Sequence, residues 1–337
     1  MRRIVWQLGF VLHLLAVSAF GQLSAQADAD KVAEEQTAAV RALAGALQDS
    51  DVEVRRSAVL SLSRIGAGAE PAVSALVAAL KDTDVDVRGA AAVALGRIGP
   101  KAASAVPGLI ELLKDSDHDV RGAAALALAR IGTPAAAAVP ALLELTGQED
   151  RQNQVFARCA LALLDSKPET HVSALTGALA DKSVEVRSAA TYALGELGPT
   201  AKSAVPALKD ALKDDEAGVR QGAAQALAEI GPGAKPAVAA LAATLRDADP
   251  AVRAAAAMAL GEIGPDAEAA VGPLTDAVKD PDVDVREAAI TALADIGPAA
   301  RPATSALTQA LKDENVDVRR AAALALGQIE QADDDSE

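Results

Sequence analysis

The sequence predicts an all-α protein, an α-solenoid of nine two-helix repeats of 33 residues each. Three columns of residues carry that expectation. A leucine recurs at a step of 33 as Leu62, Leu95, Leu128, Leu161, Leu194, Leu227, Leu260, Leu293 and Leu326. A second leucine keeps the same step from Leu43 through Leu76, Leu109, Leu142, Leu175, Leu208, Leu241 and Leu274 to Leu307. An arginine column, Arg55, Arg88, Arg121, Arg187, Arg220, Arg253, Arg286 and Arg319, is broken once, by Gln154. A fixed period kept without insertions is the mark of stacked supersecondary units, each burying its apolar face against its neighbours.

The chain opens with Met-Arg-Arg, an apolar run from Ile4 to Phe20 and a small-residue stretch ending Ala25-Gln-Ala27. That order is the pattern of a secretory signal peptide over residues 1–27, and it predicts cleavage near Ala27 and export to a periplasmic or secreted location. A membrane tether formed by residues 4–20 is the alternative, although Gln7 and His13 interrupt a run shorter than the roughly 20 residues a spanning helix needs. Residues 28–36 read as a polar lead-in, 34–330 as the repeat array and 331–337 as an acidic, disordered tail.

Within each repeat two helices are legible. Helix A carries an apolar stripe such as Val73, Leu76 and Leu80, and prolines such as Pro107, Pro140 and Pro206 fall near its start. Helix B begins after a cap column reading Asp51, Asp84, Asp117, Asp150, Ser183, Glu216, Asp249, Asp282 and Asn315, mostly residue types whose side chains accept from the free N–H groups of a helix start. Its buried stripe runs Val87, Ala91, Ala94, Leu95 and Ile98; Gly99 ends it, and Pro100 prevents its continuation.

Composition narrows the function classes. The net charge is −15, and loss of Arg2 and Arg3 with residues 1–27, which contain no acid, takes it to −17. Nucleic acid and anionic membrane need a positive footprint, so neither is the expected partner. Beyond residue 27 the aromatic residues are Phe156 and Tyr192, too few for base-stacking platforms. Cys159 is the sole cysteine, which rules out an internal disulfide.

These residues resemble HEAT repeats, in particular the short bacterial HEAT-like form of phycobilin lyases, an armadillo-like helical class. The resemblance spans the array and implies a right-handed superhelix, with the Asp and Arg columns (Asp82, Arg88; Asp115, Arg121) forming a charge ladder between units. It also implies that the side of helix B opposite its buried stripe lines the concave surface.

On a helical wheel that side contains the columns of Gly89, Ala92, Val93 and Gly96. The variable column gives a candidate partner-binding groove: Leu60, Val93, Leu126, Tyr192, Gln225 and Met258, with Cys159, Thr291 and Leu324 at the equivalent positions. At its edge the charge changes sign along the chain. Arg64, Arg97 and Arg130 precede Leu163, and Glu196, Glu229, Glu262 and Asp295 follow it, a polarity suited to orienting a bound partner. The fourth repeat, where the switch falls, also departs from the pattern at Thr146, Gln154, Phe156 and Asp165, and is a candidate hinge.

Catalytic and metal signatures are poor. The Asp-x-Asp-x-Asp runs at Asp82, Asp115 and Asp280 lack the Gly and Glu of a calcium loop, because Val87, Val120 and Val285 stand at the sixth position. His118 and His171 have no ligand partners at metal spacing. The expected function is therefore an exported, noncatalytic, monomeric protein-interaction scaffold for a protein or peptide, with no cofactor or metal. A bilin lyase or isomerase, by analogy with the repeat family, and a structural spacer of the cell envelope are the alternatives.

Overall fold

The computed structural model of the chain describes residues 37–165 and 167–331, so the expected signal peptide, the lead-in up to residue 36 and the tail from 332 lie outside the described residues. The described chain is helical. Packing divides it into two compact units, one ending at Ile131 and the other beginning at Gly132. The first holds α1 (residues 37–46), α2 (Val52–Ile65), α3 (Val73–Ala79), α4 (Val85–Ile98), α5 (Val106–Leu112) and α6 (His118–Ile131). The second holds α7 (Val139–Leu145), α8 (Arg151–Leu164), α9 (Pro168–Ala178), α10 (Val184–Glu196), α11 (Val205–Ala211), α12 (Ala217–Ile230), α13 (Val238–Thr244), α14 (Pro250–Ile263), α15 (Val271–Ala277), α16 (Val283–Ile296), α17 (Thr304–Ala310) and α18 (Val316–Gln331). Odd-numbered helices are the A helices of their repeats and even-numbered ones the B helices, so each unit is a stack of αα pairs, an all-α solenoid.

The B helices start where the cap column predicts. The Asp84 carboxylate accepts from the Val87 N–H at 3.1 Å, Asp150 from Asn153 at 3.0 Å and Asn315 from Val318 at 3.2 Å, each satisfying a backbone donor that the first turn leaves free. Glu216 is the departure: its side chain makes no capping bond, one methylene too long for the short geometry of Asp, Asn or Ser.

Gly99 ends α4 at φ 74°, a left-handed conformation that β-carbon-bearing residues rarely adopt. The chain then enters a 3-10 turn, Gly99–Ala105, before α5. Proline therefore sits in the first turn of the A helices without kinking them, as Pro107 does. The fourth repeat offers Asp165 at the glycine position. It leaves α8 in an extended conformation, φ −92° and ψ 159°, and α9 follows as an 11-residue α-helix in place of a 3-10 turn and a 7-residue helix.

The two leucine columns form the core, with Leu76, Leu95, Leu109, Leu128, Leu208, Leu227, Leu260 and Leu274 fully buried. Truncating such a leucine to Ala costs about 2–5 kcal/mol. Successive B helices also pack on one another through small residues, and here the wheel reading is corrected. The column of Ala92 is buried at Val59, Ala92, Ala125, Thr191, Ala224, Ala257 and Ile290, and Gly96 is buried too. A β-carbon on Gly96 would lie 2.9 Å from the Ala127 Cα, so α4 and α6 meet at backbone distance. A wheel drawn for one repeat shows these residues facing away from helix A; the face they occupy is filled by the next B helix.

Candidate functional site

The Arg and Asp columns join neighbouring repeats. Arg88 grips the Asp115 carboxylate with Nε at 2.8 Å and Nη2 at 3.0 Å, and its Nη1 donates to the Asp82 and Thr83 carbonyls of its own A–B turn. The same two-pronged contact links Arg55 to Asp82, Arg187 to Asp214, Arg220 to Asp247 and Arg253 to Asp280. The guanidinium bonds hold Asp82, Asp115 and Asp247 below the usual carboxylate range. Each arginine thus staples one turn and anchors the next, which spends these residues on structure.

The fourth repeat keeps both functions with different residues. Gln154 replaces the arginine and donates to the Gln148 carbonyl at 2.6 Å, reproducing the turn staple. Arg151, one helical turn earlier, supplies the ion pair to Asp181, whose side chain is almost wholly buried. Nearby His171, also buried, meets the Asp165 carboxylate through Nε2 at 3.1 Å.

In the first unit the groove column is partly assembled. Leu60 and Val93 line a depression of about 540 Å³ with Val85, Arg56, Asp86, Asp117 and Asp119, and Leu126 is not among its walls. Arg56 pairs with Asp84 at 2.6 Å and Asp86 at 3.0 Å, and that contact lowers the Asp84 pKa to about 2. Arg64, Arg97 and Arg130 lie in the last turns of α2, α4 and α6, where a cation complements the helix dipole. Arg97 also donates from Nη1 to the Ser63 carbonyl at 3.2 Å. This basic edge therefore has a structural reason to exist.

The second unit brings its candidates together. Tyr192 of α10, Gln225 of α12 and Met258 of α14 line one groove of about 980 Å³, and Glu196, Glu229 and Glu262 line the same groove. Tyr192 is 42% exposed and Met258 48% exposed, so the groove offers apolar surface to a partner. Asp295 continues the acidic row beyond the groove walls. These acids occupy the C-terminal turns of their helices, where the dipole disfavours an anion by about 0.3–1 kcal/mol each. Burial and the neighbouring Glu262 charge push the Asp295 carboxyl up from its ordinary range although it remains exposed. Among the described residues neither Glu229, Glu262 nor Asp295 has an ion-pair partner. Charge is distributed accordingly: from Gly132 onward 18 basic face 32 acidic residues, a net −14, whereas residues to Ile131 carry 14 and 15.

Cys159 departs from its column. It is fully buried, with Sγ 3.6 Å from the Ala193 carbonyl, and does not line the groove. The ligand atoms of Asp117, His118 and Asp119 lie within 4.8 Å of one another, but Asp117 is the cap of α6, its Oδ1 accepting from the Asp119 and Val120 N–H groups. Sequence reading passed over Arg151 and Asp181; the signal that finds them is an Arg three residues before the failed Arg position.

Stacked αα pairs, stapled turn to turn and leaving one face of the B helices lining a groove, define a helical-repeat protein. The chain belongs to the HEAT repeat family: a family model of HEAT repeats matches residues 15–92, 73–155, 139–228, 205–282 and 271–336. HEAT repeats generally act as protein-interaction scaffolds. Among solved structures the chain is similar to an engineered protein, 26% identical, with 86% of this chain and 88% of that one covered at a TM-score of 0.48. A search of curated proteins gave no match. No helix among the described residues is long and apolar enough to cross a membrane.

Proposed function

We propose that the chain is an exported, noncatalytic scaffold that holds a protein or peptide partner in the groove of its second unit. The observation that carries this reading is the meeting of Tyr192, Gln225, Met258, Glu196, Glu229 and Glu262 around one groove. Neighbouring B helices are fixed by the ladder and by close small-residue packing, so the groove is preformed and binding needs little rearrangement. Residues of the B helices that vary from repeat to repeat supply specificity, and the columns that stay fixed supply the frame.

Cross-linking and pull-down with the tagged full chain in its native compartment tests the reading, set beside a Tyr192→Asp/Met258→Asp variant of equal thermal stability. Loss of one defined set of partners from the variant supports it. Identical recovery by both proteins refutes the groove and favours the envelope spacer. Mass analysis of the exported protein tests cleavage near Ala27, and titration with a bilin tests the lyase alternative, which requires a spectral change.

A further inference from the structure

We propose that the groove of the second unit takes a basic amphipathic helix of a partner protein, its apolar stripe on Tyr192 and Met258 and its Lys or Arg side chains facing Glu196, Glu229 and Glu262. This rests on the scaffold reading and adds the chemical class of the partner. Three observations point the same way. The groove combines exposed apolar surface with a row of carboxylates on successive B helices. Those carboxylates stand at helix C-termini, where nothing in the helix itself favours an anion, whereas the equivalent positions of the first unit hold arginines. The surrounding unit carries −14 of the chain's net charge of −15.

The spacing sets the register. Packed helices lie about 8–10 Å apart, and seven residues of an α-helix rise about 10.5 Å and return to the same face. A bound helix therefore presents its basic side chains at i, i+7 and i+14, opposite the three glutamates. Its apolar positions fall at i+1, i+4 and i+8, a stripe on the flank beside that row, set to meet Tyr192 and Met258.

The test uses the full chain and three synthetic helices with one apolar stripe: one with Lys at i, i+7 and i+14, one with Gln and one with Glu at those positions. Fluorescence anisotropy should show the Lys helix binding at least tenfold tighter than the Gln helix, with affinity falling as salt rises. Glu229→Lys/Glu262→Lys should abolish that preference, and Glu268→Lys/Glu330→Lys, equal in charge change and outside the groove, should keep it. If the double Lys variant loses its helical spectrum, Glu229→Gln/Glu262→Gln replaces it with the same expectation. Equal loss in both variants reduces the effect to net charge and overturns the inference. Preferred binding of the Gln or Glu helix overturns the cationic partner while leaving the groove as a docking surface, and binding of none overturns the inference while the pull-down decides the scaffold reading separately. Sedimentation that shows self-association blocked by Tyr192→Asp/Met258→Asp gives the groove to a second copy and overturns it too.

Discussion

Arg151 reaches Asp181 from one helical turn before position 154 and supplies the cation that the fourth repeat's Gln154 lacks. Asp181 is almost wholly buried, so removal of Arg151 leaves its carboxylate without a cation, held by the Ser183 N–H at 2.9 Å. Arg151→Ala should destabilise the fourth and fifth repeats by about 2 kcal/mol, less than the full cost of breaking a buried pair because Arg151 is itself largely exposed. Arg151→Ala/Gln154→Arg should recover most of that loss by restoring the regular ladder. Hydrogen exchange across α8 to α10 measures both, and an Arg151→Ala variant as stable as the parent would show that Asp181 does not depend on a cation.

The ladder makes the protein acid-sensitive in a defined window. Asp82, Asp115 and Asp247 titrate below the ordinary carboxylate range and Asp84 down at about 2, so their contribution is fully present above the unfolded value of roughly 4. As pH falls through the folded values toward 2, that contribution disappears. Far-UV circular dichroism should show a melting temperature flat near neutrality and declining steeply below about pH 4. Raised salt should blunt the effect little at these inward-facing pairs.

Asp295 should behave with the opposite sign. Its carboxyl is raised in the folded chain, so its ionised form opposes folding and the opposition is relieved as pH falls through the folded value. Asp295→Asn should raise stability near neutral pH by about 0.5 kcal/mol or less, as expected of an exposed charge. The difference between the two proteins should vanish at acid pH, where both side chains are neutral. A gain that persists there would point to packing instead.

Two glycines at the same column should respond differently to a methyl group. A β-carbon at position 96 meets the Ala127 Cα at 2.9 Å, and one at position 195 meets the Ala226 Cα at 3.5 Å, ordinary contact. Gly96→Ala should cost about 1–3 kcal/mol through forced separation of α4 and α6, against the roughly 1 kcal/mol that Ala gains in helix propensity. Gly195→Ala should be neutral or stabilising. Urea denaturation of both variants measures the contrast.

Much of this was legible in the sequence because the repeat writes each structural demand nine times. Leu95 and its column, Asp84 as a cap, and Gly99 as a stop all fall where the periodicity places them. The burial of Ala92 and Gly96 was not legible: helical periodicity reports which residues share a face, and only the stack reports that the face meets another B helix. Tyr192, Gln225 and Met258 were legible as a column, and so were Glu196, Glu229 and Glu262. Their meeting in one groove depends on how far successive helices splay, which a linear period does not encode. Arg151 escaped because its replacement of position 154 is three-dimensional, a different residue of the same helix reaching the same carboxylate.

The rung formed by Arg88 and Asp115 is chemically the same as that formed by Arg253 and Asp280, so it holds no information about which neighbour is the correct one. A nascent chain could close such a rung one repeat out of place, or on a second molecule, without losing a bond. The fourth repeat closes its rung differently, with Arg151 on Asp181 and Gln154 keeping the turn through the Gln148 carbonyl. Among the described residues, the fourth repeat is thus the one place along the array where a rung is chemically distinguishable from its neighbours.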